Sequence, residues 1–211
     1  MSVRLIKKIG RGAYLGLWQI EEDLEKLVSG IELDGEEKQT FSAFKSVQRK
    51  KQWLAYRHLL KEMTSERGLK IHYSKEGKPY IPGSIWGISV SHTDEYAAVI
   101  IAENAEAGID IELPKSRILK IRNRYLHPEE DKNISEGDIE GLTLYWCAKE
   151  ALYKLNGRKN IDFKSQLKIE KNRDRKMKGW LYESEKEEAF DIFTERIDDL
   201  ICVYVIKEKQ V

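Results

Sequence analysis

Leu142-Thr143-Leu144-Tyr145-Trp146-Cys147-Ala148-Lys149-Glu150-Ala151-Leu152-Tyr153-Lys154-Leu155-Asn156-Gly157 is the stretch on which the fold turns. It reads as a helix. Asp138 is a candidate N-cap, and Gly157 stands where a helix ends in a left-handed residue. Leu144, Ala148, Ala151 and Leu155 recur at steps of four and three and form one apolar stripe. Trp146, Glu150 and Lys154 recur every four residues and form a second. Taken alone, the second stripe could be an ion pair on a solvated face, worth roughly 0.2–0.5 kcal/mol.

The neighbouring stretch Gly108-Ile109-Asp110-Ile111-Glu112 changes that reading. Its alternation suits a short strand. Asp110 and Glu112 then share one face, roughly 7 Å apart at about 3.3 Å of rise per residue, while Ile109 and Ile111 point into a core. Two facing carboxylates repel and call for a positive partner. With Glu150 added, the set is three hard oxygen ligands, a composition that suits Mg²⁺ completed by water and substrate phosphate. An acidic strand end among surface Lys and Arg is the plainer alternative.

The 211 residues allow one large domain or two small ones. Lys and Arg number 37 against 36 Asp and Glu, a net charge of +1, so no overall field favours nucleic acid or membrane. A hydrophobic fraction of 41%, with five Trp and ten Tyr, is that of a folded globular protein. Met1 to Lys8 lacks an apolar signal-peptide core, and no apolar run is long enough to span a bilayer. Cys147 and Cys202 have no metal-type spacing, so a reduced cytoplasmic protein is expected, with Cys147 a small core residue.

Along the chain, Gly10 to Gly16 lacks the frame and the Lys-Ser/Thr of a nucleotide loop. A first strand is expected over Leu15–Ile20 and a short acidic helix over Glu21–Val28. Residues 41–66 read as one long helix or two joined ones, carrying Trp53, Tyr56 and Leu60 inward. Arg49, Lys50 and Lys51 there are either a solvated face or an anion site. Gly77 to Gly83 is a loop, and Ile85–Ser91 and Tyr96–Glu103 are strands joined by Thr93-Asp94-Glu95. Ser91 and His92, at a strand end, can both donate to a phosphate. Arg122 to Glu130 is a helix end followed by a helix begun at Pro128. Strands are expected over 163–170, 179–182, 189–193 and 200–206, with turns at Asn172–Arg175 and Ile197–Asp199.

These pieces resemble the 4′-phosphopantetheinyl transferases, specifically the larger, single-chain, surfactin-synthetase-activating type. The resemblance rests on Gly77-Lys78-Pro79, Ile88 to Thr93, Gly108 to Glu112, Arg124 to Glu130 and Trp146 to Gly157, in that order. It covers roughly residues 49 to 157. It implies an α/β (α+β) fold of two similar halves related by a pseudo-twofold, each with a small antiparallel sheet and a long helix. The active site would lie in the cleft between halves 1–105 and 106–211. It implies Mg²⁺-dependent transfer of the phosphopantetheine arm of coenzyme A to a serine of an apo acyl or peptidyl carrier protein, releasing 3′,5′-ADP.

By the same resemblance Asp110, Glu112 and Glu150 hold the metal. Lys154, Ser91 and His92 contact coenzyme A phosphates, Lys78 and Pro79 lie beside the nucleotide, and Lys51, with Arg49, holds the 3′-phosphate. Glu150 or Glu130 takes the serine proton, with Lys154 also in the catalytic set. A cytoplasmic monomer with no nucleic-acid or membrane partner is expected. Two departures stand out: Ser89 where the family often has Asn, and Arg158-Lys159-Asn160 in place of a further glycine step. Another Mg²⁺-dependent phosphoryl or nucleotidyl transferase or phosphodiesterase, or a non-catalytic carrier-binding module, would also accommodate the carboxylates.

Overall fold

In the computed structural model, which describes residues 2–64, 69–157, 160–172, 176–183 and 186–209, the acidic strand and the long helix pack directly on one another. The chain opens with a hairpin of β1 (Val3–Gly10) and β2 (Ala13–Gln19). The sequence pattern places a first strand only at Leu15. β1 precedes it because its residues alternate between half-buried and exposed, as suits the outer strand of a sheet.

Three helices follow, α1 (Leu24–Ser29), α2 (Gly35–Ala43) and α3 (Val47–Met63). The single run anticipated over 41–66 is therefore broken. Asp34 and Glu37 form a capping box that starts α2 early, and the Ser46 hydroxyl accepts from the Arg49 amide to start α3 anew. Ser65 and Glu66 of that expectation lie outside the described residues. The two-residue strand β3 (His72–Tyr73) pairs with β4 (Pro79–Tyr80), which falls inside the expected Gly77–Gly83 loop, ahead of β5 (Trp86–His92) and β6 (Tyr96–Glu103).

The second half runs β7 (Ala105–Glu112), a 3-10 turn (Ser116–Ile121), α4 (Arg122–Tyr125), α5 (Pro128–Asp131) and α6 (Ile139–Asn156). β8 (Leu167–Lys171), β9 (Met177–Glu183), β10 (Lys186–Ile197) and β11 (Leu200–Glu208) complete it. α6 has the expected ends: Asp138 accepts from the Gly141 amide at 2.9 Å, and Gly157 has φ 71°. β8 starts at Leu167 and not at Phe163, because the Asp162 carboxylate accepts from the Ser165 amide at 2.7 Å and hydroxyl at 2.6 Å and holds a turn there. Arg158, Lys159 and the Arg173–Arg175 part of the expected turn lie outside the described residues.

Among the described residues, β1-β2-β6-β5 form one antiparallel sheet and β7-β11-β10-β9-β8 another. Period-two alternation divides the inner strands β6 and β11 between two cores. Val99 and Ile101 face α3 with Trp53, Tyr56 and Leu60, whereas Ala98 and Ile100 face the other sheet. Val203 and Val205 face α6, whereas Cys202 and Tyr204 join Ile109 and Ile111 between the sheets. The layers are thus helix, sheet, sheet, helix. The architecture is mixed α/β with small antiparallel sheets and one long helix on each.

The halves meet where the edge strands β5 and β7 lie side by side. Serine hydroxyls take the place of ladder carbonyls at this seam. The Ile109 amide donates to Ser89 Oγ at 3.1 Å and the Ile111 amide to Ser91 Oγ at 3.2 Å. Ser89 is therefore a seam residue here, its short side chain bringing a hydroxyl to a buried amide. On the opposite face of β7, Gly108 lets α6 approach closely: a Cβ there would stand 2.0 Å from the Ala151 carbonyl oxygen. That approach sets Glu150 and Lys154 beside Asp110.

Candidate active site

A cavity of about 420 Å³ opens between the halves along the seam. Arg49, Tyr73, Lys78, Pro79, Ser89, Ser91 and His92 line it from the first half, and Asp110, Glu112, Trp146, Glu150, Tyr153 and Lys154 from the second. α6 is covered on two sides, by Val203 and Val205 of one sheet segment and by Leu167, Met177, Leu181 and Ile192 of the other. The Trp146, Glu150 and Lys154 stripe, with Tyr153 beside it, is left for the cleft.

Asp110 is the most enclosed of the acids that line the cavity, at 5% exposure. Its Oδ1 accepts from Ser91 Oγ at 2.8 Å and from Lys154 Nζ at 2.7 Å. Its Oδ2 is buried with no hydrogen-bond partner among the described residues. Lys154 also donates to the Ile109 carbonyl at 3.0 Å, so its ammonium bridges helix and strand. Glu112 pairs with Arg117 at 3.3 Å. Burial first, and Asp110 second, raise the Glu112 carboxyl above its ordinary value, Arg117 opposing. Glu150 is pushed up to about 7 by burial and then by Asp110, with Lys154 pulling the other way.

A third carboxylate beside two others in a poorly solvated place thus holds its proton near neutrality. The donor chemistry suits a hard divalent cation: three carboxylates, one with an unpartnered buried oxygen, whose mutual repulsion a cation would relieve. In the present side-chain placement, no three His, Cys, Asp or Glu among the described residues stand together in ligating geometry. Lys154 supplies the positive charge beside Asp110.

Opposite the acids stand cations. Arg49 contacts His92 Nε2 and lies over the Phe44 ring, 5.4 Å from its centroid. Lys50 lies over Phe41 instead, at 5.1 Å. Of the three basic residues only Arg49 lines the cavity; Lys51 does not. Lys78 Nζ is held by the Leu155 carbonyl at 2.6 Å and Glu106 at 3.1 Å, with its stem over Gly157.

His92 is lowered to about 4, first by burial and then by the charges of Arg49 and Lys154. It is a neutral imidazole at physiological pH, its Nε2 placed to accept from Arg49. An unfolded His92 takes up a proton below about 6.5, whereas the folded one waits until about 4. The stability it contributes is therefore complete above that window and is lost as pH falls through it. Urea denaturation at pH 7 and pH 5 is expected to show a smaller acid-induced loss in His92→Gln than in the unaltered protein. Equal losses would contradict the depressed imidazole.

Glu130 stands apart. It is 2% exposed, pairs with Lys149 at 2.7 Å, and accepts from the His127 and Ile169 amides. It does not line the cavity. Of the two glutamates expected as candidates for the base, Glu150 lines the cavity and Glu130 does not. Ser91 lines the cavity and donates its hydroxyl proton to Asp110. Burial, then the charges of Asp110 and Glu112, push the Cys147 thiol well up, in keeping with a core residue.

Tyr73 and Tyr153 complete the walls and were not singled out by pattern. Tyr153 could have been found as the residue three after Glu150 on the helix, whereas Tyr73 carries no local signal. No helix among the described residues is long and apolar enough to cross a membrane.

With this geometry in place, likeness to known proteins becomes informative. The model of the 4′-phosphopantetheinyl transferase superfamily matches residues 106–205. A Haemophilus influenzae protein provisionally named a 4′-phosphopantetheinyl transferase is 30% identical over 95 residues, 42% of this chain and 40% of that protein. The 4′-phosphopantetheinyl transferase AcpT of Escherichia coli strain K12 is 29% identical over 116 residues, 52% of this chain and 59% of that one. AcpT of Salmonella typhimurium is 28% identical over 116 residues, 52% and 60%. The chain thus spans about half the length of the curated relatives it matches. The family match contains Asp110, Glu112, Glu150 and Lys154 and excludes Arg49, Lys78 and His92.

Proposed function

We infer that the protein transfers the 4′-phosphopantetheine arm of coenzyme A to the serine of an apo acyl or peptidyl carrier protein. The observation that carries this reading is the meeting of Asp110, Glu112, Glu150 and Lys154 in one cavity whose other wall is cationic. The superfamily match over the acidic half supports it. The presence of both walls in a single chain supports the larger, single-chain type acting as a monomer.

The chemistry follows from charge. The carrier serine oxygen forms a bond to the phosphorus that bears the pantetheine arm. The bond from that phosphorus to the bridging oxygen breaks, and 3′,5′-ADP leaves. Such transfer needs positioning and charge neutralisation more than covalent help. Lys154, one helical turn from Glu150, reaches the same phosphates. Arg49 faces the 3′-phosphate, and His92, neutral, orients Arg49. Lys78 and Pro79 border the nucleotide. Glu150, whose carboxylate lines the cavity one helical turn from Lys154, accepts the serine proton. Asp110, Glu112 and Glu150 would hold Mg²⁺, after a turn of Lys154 away from Asp110. That ion would supply charge stabilisation for the pyrophosphate.

Incubation with coenzyme A, Mg²⁺ and an apo carrier protein, followed by intact mass, is expected to show one phosphopantetheine added per carrier and 3′,5′-ADP released. A carrier left unmodified across fatty acid, polyketide and peptide types would refute the reading. A further expectation concerns the anion site. Dephospho-coenzyme A should be the poorer substrate, and Arg49→Ala should erase that preference while Lys51→Ala retains it. The loss corresponds to a charge-assisted contact of about 1.5–3 kcal/mol, roughly 10-fold to 10²-fold in kcat/KM. Equal use of both substrates by the unaltered enzyme would remove the 3′-phosphate from this place.

A further inference from the structure

The Lys149 ammonium is fully buried on α6 and meets four acceptors: the carbonyls of Tyr125 at 2.7 Å, Phe163 at 2.8 Å and Leu167 at 2.7 Å, and Glu130 Oε2 at 2.7 Å. Glu130, equally deep, accepts from the His127 amide at 2.7 Å and the Ile169 amide at 2.6 Å. Net stability is a poor reason for such a group, since well-packed apolar substitutes for a buried ion pair are often as stable or more so. What an ammonium offers that an apolar chain does not is direction. Its three N–H groups fix several carbonyls at once.

One of those carbonyls belongs to Phe163. Its ring packs against Trp146, centroids 5.8 Å apart, and against Tyr153 at 5.4 Å, and both of these line the cavity. The first half repeats the device. Arg57, buried on α3, pairs with Glu37 at 2.9 Å and donates to the Ile71 carbonyl at 2.9 Å, two residues before Tyr73. Tyr73 lines the cavity from the other side, its hydroxyl 2.7 Å from that of Tyr56. In each half, a buried cation on the long helix holds by a backbone carbonyl the segment next to an aromatic wall of the cleft.

We propose that Lys149, with Glu130 as its counter-charge, is a positioning residue that sets the Phe163-Trp146-Tyr153 wall of the cavity. The kinetic consequences rest on the transfer reading above. The placement of the wall does not.

Two variants test it. Lys149→Met/Glu130→Gln removes the cation without leaving a lone buried charge. Phe163→Leu removes the ring between hub and wall and leaves the buried pair untouched. The readouts are the Trp146 indole amide resonance, assigned with Trp146→Phe, and the separate kcat and KM for coenzyme A. Ile192→Ala, which opens a hole in the same core away from the wall, serves as the stability control.

Both test variants are expected to move the Trp146 signal and lower kcat/KM by up to about 10²-fold, the scale of an ångström-level misplacement. Ile192→Ala is expected to lower the thermal midpoint and do neither. Phe163→Leu with an unmoved indole resonance and unaltered kcat and KM would overturn the proposal, as would a folded double variant with both unchanged. If the double variant fails to fold, Phe163→Leu decides. If the unaltered protein shows no transfer at all, the transfer reading fails while the indole shift still decides the positioning.

Discussion

Asp110→Ala is expected to abolish transfer and leave a folded protein. The carboxylate is buried, yet its removal costs little stability on balance. The Ser91 and Lys154 bonds to Oδ1 are lost, but Lys154 keeps the Ile109 carbonyl and Ser91 keeps the Ile111 amide. Repulsion of Glu112 and Glu150 disappears with it, and the unpartnered Oδ2 goes too. The catalytic loss is of another order, because this oxygen pair centres both the Lys154 ammonium and the proposed cation site. Removing one preorganised electrostatic contact costs about 10²–10³-fold in kcat, and here several depend on one residue. Turnover and thermal midpoint measured on one preparation check this. Asp110→Asn adds a readout independent of activity: with the neighbouring charge gone, the Glu150 carboxyl should titrate below its value of about 7. A folded Asp110→Ala protein with unaltered turnover would remove the acidic strand from the mechanism.

Gly108→Ala is expected to be the most destabilising conservative change in the second half. The added methyl would stand 2.0 Å from the Ala151 carbonyl oxygen and 2.8 Å from the Leu155 amide nitrogen. Both are backbone atoms of a helix held on two sides, so neither can swing aside. Overpacking costs about 1–3 kcal/mol where side chains can adjust, and the upper end applies where they cannot. At about 2–4 °C per kcal/mol for a chain of this size, the midpoint should fall by roughly 6–12 °C. Transfer should fall further than stability alone explains, since displacing α6 separates Glu150 and Lys154 from Asp110. Thermal unfolding with kcat measured well below the midpoint separates the two effects. A midpoint within about a degree of the unaltered protein would mean that α6 is not pinned at Gly108.

Local patterns in this chain were informative wherever one residue's neighbours in sequence are also its neighbours in space. Helix periodicity with Asp138 and Gly157 as caps located α6 to within a few residues. Alternation located β5, β6 and the face of β7 that carries Asp110 and Glu112. The same logic failed at the ends of the chain. β1 is an outer strand whose inward face is half-buried, and β8 yields its first residues to the Asp162 turn. Those outcomes turn on contacts that periodicity does not register, the ladder of β1 on β2 and the Asp162–Ser165 turn.

The candidate site divides in the same way. The residue types themselves, three acids and a lysine at strand and helix spacing, suggested a hard-cation site beside an ordinary ion-pair reading, and the structure brings those four side chains into one cavity. Sequence spacing left both Glu130 and Glu150 as candidates for the base, with the Lys154 stripe favouring Glu150. Only the tertiary structure separated them, because burial against Lys149 and two amides commits Glu130 to the interior while α6 turns Glu150 into the cleft. Arg49 was likewise parted from Lys50 and Lys51 by the direction in which α3 leaves Ser46. Which chemistry is available was written in the identities of the side chains. Which of them face one another was decided by packing, since the approach of α6 to Gly108 and the serine seam between β5 and β7 are long-range contacts that no local propensity encodes.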